Sequence, residues 1–161
     1  MTFPAPRSRK TIALAALLLL LTCTGARSAE NATQRSLQER SADALSLYER
    51  VGGGTIIAAI SSDLVERAAA DPRTKRSWRK VNLTRVKGVL SEHLCSVTDG
   101  PCTYGGDTME DIHAGLDITE AEMFALVEIL RDIMIEREIR VRERNELLAL
   151  LAPMKRDVVT R

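Results

Sequence analysis

The stretch Tyr104-Gly-Gly-Asp-Thr-Met-Glu-Asp-Ile-His-Ala-Gly-Leu-Asp-Ile-Thr-Glu-Ala-Glu-Met-Phe124 organises the chain and carries His113, one of its 2 histidines. Gly105 and Gly106 break the backbone, and Asp107, with Glu110 three residues on, predicts a helix N-cap. His113 then falls on that short helix, one turn beyond Met109. Thr119 with Glu122 predicts a capping box, and Ile118 before it a hydrophobic staple onto Met123, so a long helix leaves the short one at a fixed angle. A single imidazole is thereby held on a brief helical piece between two corners, an arrangement suited to presenting a ligand.

On either side of this stretch the apolar pattern is helical. Ile57, Ile60, Leu64 and Ala68 form one stripe of a helix predicted over Thr55 to Ala70, which follows a short helix from about Ala44 to Arg50 and the Gly52-Gly53-Gly54 turn, and stops at Asp71-Pro72. From the cap Asn82 to about Val97, residues Val86, Leu90 and His93 share a face. The core reading of His93, with a satisfied hydrogen bond, is favoured there over a pocket-facing one. Leu126, Leu130, Ile133 and Met134 continue a long amphipathic helix, with Glu136/Arg140 and Glu138/Arg142 as i,i+4 pairs on its solvated face. A last helix is predicted around Asn145 to Leu151. No long run alternates with period two, so the fold class is all-α.

The 161 residues are 45% hydrophobic, enough for one core, and 23 Lys plus Arg against 22 Asp plus Glu leave a formal charge of +1. Such a balance provides no basic field for nucleic acid. Arg7, Arg9 and Lys10, the ten-residue apolar run Ile12 to Leu21 and the small residues after it read as a secretory signal. Ala26-Arg27-Ser28 places cleavage after Ser28, and the run is too short for a stable transmembrane span. The expected organisation is a signal peptide at 1–28, a polar tether at 29–43 and one domain at 44–161, exported to the periplasm. A lipoprotein anchored at Cys23 is the other reading of the leader. In an oxidising compartment Cys95 and Cys102, with turn-forming residues between them, are expected to form a disulfide; free thiols and a metal site are the alternatives.

Phosphate-loop, nucleophile-elbow and zinc-protease signatures are absent. What the sequence offers is a histidine on each of two helices, with aliphatic faces able to grip a flat apolar group. The basic run Lys75 to Lys80 carries the sole tryptophan, Trp78, and reads either as a solvated corner or as a stacking surface with a cation beside it.

From Leu47 to Val159 the chain resembles the group I truncated haemoglobins, in particular exported, cysteine-containing bacterial members. The residues that carry the likeness are Leu47-Tyr48 before Gly52-Gly53, Asp71-Pro72, Gly100-Pro101 with Tyr104-x-Gly106, Met109-x-x-x-His113, Gly115-Leu116-x-Ile118-Thr119, and Leu150-Leu151-Ala152-Pro153-Met154. The resemblance implies a two-over-two helical sandwich around haem b, with His113 as proximal iron ligand and Trp78, Val86, Leu90, Met109, Ile118 and Met123 against the porphyrin. Arg79, Arg85 and Lys87 are the candidates to meet its propionates.

The distal side departs from the family. Val65 stands where relatives carry a tyrosine and Leu90 where many carry a glutamine, which leaves His93, one turn further along, as substitute donor or sixth iron ligand. Loss of a charge-assisted hydrogen bond costs bound oxygen about 1.5–3 kcal/mol, roughly ten- to a hundred-fold in affinity. That favours binding of O2, NO or CO for sensing or redox chemistry, with an unidentified electron donor, over tight oxygen storage. The rival reading is a haem-free exported interaction domain on the same scaffold.

Overall fold

In a computed structural model of the protein, the residues described are 31–36 and 44–161. The stretch read as a signal peptide at 1–28, with Cys23, and most of the expected 29–43 tether lie outside them. Residues 31–36 form an exposed helical segment in which the Ser36 hydroxyl donates to the Thr33 carbonyl at 2.8 Å.

The compact unit Leu45–Arg161 is all-helical among the described residues. Its elements are α1 (Leu47–Arg50), α2 (Gly53–Ala70), α3 (Leu83–Val97), α4 (Met109–His113), α5 (Glu120–Glu136), α6 (Val141–Leu151), a 3-10 turn (Ala152–Met154) and α7 (Lys155–Val158). Helix α2 packs on both α3 and α5, and α5 on α6, which gives two layers of two helices. The expected stripe of α2 is fully inside: Ile57, Ile60 and Ala68 have no exposure and Leu64 is buried. Leu94 of α3 and Leu130, Ile133 and Met134 of α5 complete that core with Leu147 of α6. Each such aliphatic contributes about 1.5–3 kcal/mol by leaving water.

Helix α2 begins two residues earlier than the sequence suggested, because Gly52 takes the cap position at φ 109°, where a Cβ would lie 2.6 Å from Ile56 Cγ1. Helix α1 starts only at Leu47, where a Ser46–Glu49 capping box sets its first turn.

Two further expectations are corrected. Asp107 is not the cap of α4; the Thr108 hydroxyl accepts from the Asp111 amide at 3.1 Å and so supplies the cap one residue later. Nor does the α5 pattern run on through residue 142. Helix α5 stops at Glu136, Glu138 takes a left-handed φ of 55°, and the chain turns so that Ile139 is buried. The pairs Glu136/Arg140 and Glu138/Arg142 therefore share no helix, and Glu136 instead accepts from Arg67 of α2 at 2.7 Å.

Beneath that turn lies a buried ion cluster. Glu143 has no exposure, Arg140 donates to it at 2.7 Å, and Arg50 Nε of the α1 segment lies 3.5 Å away while its other nitrogen engages Glu146. This cluster joins α1 to α6, and none of its residues lines the cavity described below.

Candidate functional site

A cavity of about 650 Å³ opens between α3, α4 and α5, a size proper to a cofactor. Its walls are overwhelmingly apolar: Val86 and Leu90 of α3, Met109 of the short helix and Met123 of α5 line it, with Trp78 from the preceding turn. These are five of the residues that the sequence reading set against the porphyrin. Ile118 lines a neighbouring void of about 180 Å³, which shares Trp78, Val86, His113 and Met123 among its walls with the larger one.

The short helix aims His113 into both spaces. Its Nδ1 lies 2.8 Å from the Met109 carbonyl oxygen, four residues back. A carbonyl can only accept, so Nδ1 carries the hydrogen, and Nε2 is the nitrogen left available to a metal. This is the tautomer a metal ligand needs, with the ring direction fixed by its own helix. The acceptor is a backbone atom, which no residue type in the sequence could reveal.

The corners either side of α4 are built from side chains. The Thr119–Glu122 capping box forms as expected. Glu122 does more than cap: Arg76 donates to it at 2.8 and 3.2 Å, and Ser77 at 2.9 Å. Arg76 also donates to the carbonyls of Leu116 and Asp117, at 3.1 and 2.9 Å. Burial alone pushes the Glu122 carboxyl up, but the hydrogen bonds from Arg76, Thr119 and Ser77 prevail and hold it at about 2. The basic run is therefore partly a clamp that ties the Trp78 turn to the loop after His113. At the C-terminus, the Thr160 amide donates to the Ile118 carbonyl at 3.0 Å, and Val158 of α7 lines both voids.

Among the three cations proposed from the sequence to meet an anionic group, Arg85 lines the cavity. Lys87 is paired with Glu66 of α2, and Arg79 is absent from the lining. Arg131 of α5 and Lys155 of α7 line it as well and escaped sequence reasoning, since neither stands in a basic run. Lys155 also lies 5.0 Å over the half-exposed ring of Phe124.

On the α2 and α3 side the wall is largely aliphatic. From α2 it is Leu64 that reaches the cavity, whereas Val65 is fully buried and outside the lining. The assignment of Val65 to the distal wall is corrected accordingly: one residue step turns a side chain by 100°, and valine is too short to reach around. Neither residue can donate a hydrogen bond.

His93 does line the cavity, 9% exposed, and its Nε2 is buried without a hydrogen-bond partner. The favoured reading of His93 as a satisfied core histidine is thus corrected, for an orphaned ring nitrogen is what a core position avoids. Burial lowers its pKa below 6.5, so the ring is neutral near pH 7. Tyr104 meets it edge to face, with ring centroids 5.0 Å apart and the planes at 69°. The Tyr104 hydroxyl donates to the Asp107 carbonyl at 2.8 Å, and its pKa is raised by burial and then by the charges of Asp107 and Glu92. Sequence reasoning treated Tyr104 only as part of a corner; an aromatic beside two glycines was the available signal. Cys95 and Cys102 stand with their sulfurs 1.98 Å apart and Cα atoms 5.8 Å apart, in bonding geometry.

Residues 46–160 match a family model described as bacterial-like globin. The chain is 26% identical over 121 residues to the group 1 truncated hemoglobin GlbN of Mycolicibacterium paratuberculosis, covering 75% of this chain and 89% of that protein. It is 24% identical over 115 residues to the GlbN of Nostoc commune, covering 71% and 98% respectively. Among solved structures, truncated hemoglobin from Tetrahymena pyriformis in its Fe(III) form superposes with a TM-score of 0.69 at 20% identity, covering 73% of this chain and all of that one.

Proposed function

The chain belongs to the bacterial-like globin family, and on that premise we propose that it holds haem b in the cavity, with His113 as the iron ligand, and binds a diatomic gas opposite it. The observation that carries this reading is the hydrogen bond from His113 Nδ1 to the Met109 carbonyl, which leaves Nε2 bare and fixed toward the cavity. The residues present fit the group: an apolar space of sufficient size, an aromatic face at Trp78, and Arg85 and Arg131 on the lining for two carboxylates, Lys155 there being paired with Glu120. Bound iron would supply the coordination position that takes the gas. The protein supplies apolar burial, which provides most of the affinity for a porphyrin, and a fixed imidazole, which sets its orientation.

Distal chemistry falls to His93, because Leu64 and Leu90 offer no donor. A neutral imidazole there can donate to a polar gas adduct or reach the metal after a helix shift. Apolar neighbours penalise CO and NO less than oxygen, which supports sensing or redox turnover with an electron donor over tight oxygen storage. We propose further that the protein is exported, through the leader at 1–28, to an oxidising compartment where the Cys95–Cys102 disulfide is stable. A haem-free interaction domain explains neither the large apolar cavity nor an imidazole hydrogen-bonded through Nδ1.

Absorption spectra of protein produced with haem supply test the reading. A Soret band that disappears in His113→Ala is expected. Folded, colourless wild-type protein under the same conditions would overturn it.

A further inference from the structure

The segment from Pro101 to Asp107 passes beside the cavity, and Tyr104, Gly106 and Asp107 belong to its lining. Among the described residues no backbone–backbone hydrogen bond engages this segment, although the turn before it is well tied: the Gly100 amide donates to the Cys95 carbonyl at 2.8 Å and the Tyr48 amide to the Thr98 carbonyl at 2.8 Å. What holds the segment is side-chain chemistry. Cys102 is joined to Cys95 on α3, Tyr104 leans on His93, and the Tyr104 hydroxyl bonds within the segment to Asp107. Gly106 lets the chain fold over the phenol, because a Cβ there would collide with the Tyr104 ring and hydroxyl.

The two anchors are close in sequence to the two rings they control. Cys95 follows His93 by two residues on α3, and Cys102 precedes Tyr104 by two. A crosslink at that place fixes the start of an otherwise unbonded strand against the helix that carries His93.

We propose that the Cys95–Cys102 disulfide and Tyr104 form a positioning unit for His93, so that the thiol–disulfide state of this pair sets how the imidazole meets a gas in the cavity. The inference rests on the haem reading given above only for its last step; the clamp itself is a property of the chain. Opening it requires an external dithiol reductant: two electrons and two protons convert the disulfide to two thiols, and the reductant becomes its own disulfide. Cys102 is half-buried, so its sulfur is the more approachable of the two, Cys95 being 2% exposed. With the crosslink open, only a ring contact and one local hydrogen bond keep Tyr104 in place, and the ordering entropy of several residues opposes them. His93 then gains solvent and rotamer freedom.

Two readouts on the full chain separate the steps. The imidazole titration of His93 is followed by NMR, without haem and in the diamagnetic ferrous CO form, before and after treatment with a phosphine reductant. The disulfide form is expected to titrate below 6.5 and the reduced form to move up toward that ordinary value. Tyr104→Leu is expected to move it in the same direction with the disulfide intact, and reoxidation of the wild type to restore it. In the haem-loaded protein, reduction and Cys95→Ser/Cys102→Ser are both expected to change the oxygen release rate by roughly ten-fold, the factor for one hydrogen bond. Tyr104→Phe, which keeps the ring edge but loses the hydroxyl bond to Asp107, is expected to shift the His93 titration in the same direction as Tyr104→Leu but by less. An unchanged His93 titration on complete reduction overturns the clamp. A shifted titration with unchanged oxygen release overturns its link to the gas. Failure to take up haem defeats the functional reading alone, because the titration without haem still reports on the clamp.

Discussion

Replacement of His93 by phenylalanine separates what the imidazole costs the fold from what it contributes to a bound gas. His93 is 9% exposed and its Nε2 is buried without a partner. A buried donor or acceptor left unsatisfied costs about 1–3 kcal/mol of stability, so deleting it returns that amount. Phenylalanine retains an aromatic partner for the Tyr104 edge contact, whose worth of about 0.5–1.5 kcal/mol is then kept. Its slightly greater volume draws on the adjoining cavity and not on packed side chains. The haem-free His93→Phe protein should therefore be more stable by about 1–2 kcal/mol, a rise in midpoint of roughly 4–8 °C for a domain of this size.

The variant also changes the pH dependence. The folded pKa of His93 is lowered by burial, so its contribution is fully present above 6.5 and declines as pH falls through the lowered value. Urea unfolding between pH 7.5 and 5 should show wild type losing stability toward acid more steeply than the variant. In the haem-loaded protein the same substitution should speed oxygen release about ten-fold while leaving CO release nearly unchanged. Destabilisation of the haem-free variant by more than about 1 kcal/mol would mean that Nε2 has a partner, and the orphan argument would fall. Equal oxygen release rates would refute His93 as donor.

Other perturbations test the supports of the site. Glu122→Gln removes the charge that anchors Arg76. Because the folded pKa of Glu122 is about 2, the wild-type contribution is complete above 4.5 and disappears between about 4.5 and about 2, so acid titration of the variant should lack that phase. With Arg76 half-exposed, the loss at neutral pH should be about 1 kcal/mol after screening, measured by urea unfolding, together with faster transfer of haem to an acceptor protein. Glu143→Ala leaves the buried Arg50 Nε without its carboxylate; a loss of about 3–5 kcal/mol is expected in the same unfolding assay, with the Soret spectrum of surviving folded protein unchanged because no residue of the cluster lines the cavity.

Much of the fold was written locally. The stripe Ile57, Ile60, Leu64 and Ala68 repeats with helical period, and the Thr119–Glu122 box needs only residues three apart, so both could be read directly and both occur. His113 was found because its helix is bounded by turn-forming residues and because its neighbourhood resembles a known family. The cap at Thr108 instead of Asp107 was missed for a related reason: adjacent residues both have capping chemistry, and only the path of the chain selects one. The end of α5 was missed because burial of Ile139 overrides a charge pattern that would suit a continuing helix.

The sequence by itself determined an all-helical domain, the buried stripe of α2 and the place of His113 on a short helix, since each depends on spacing within one element. Tertiary structure alone decided which α2 residue faces the cavity, that the Met109 carbonyl sets the His113 tautomer, that Arg76 is spent on a clamp, and that His93 stands unpaired beside Tyr104. These features depend on the rotation of one helix against another and on backbone atoms common to every residue. Periodicity places a side chain on a face, but the partner of that face is chosen only when the helices pack.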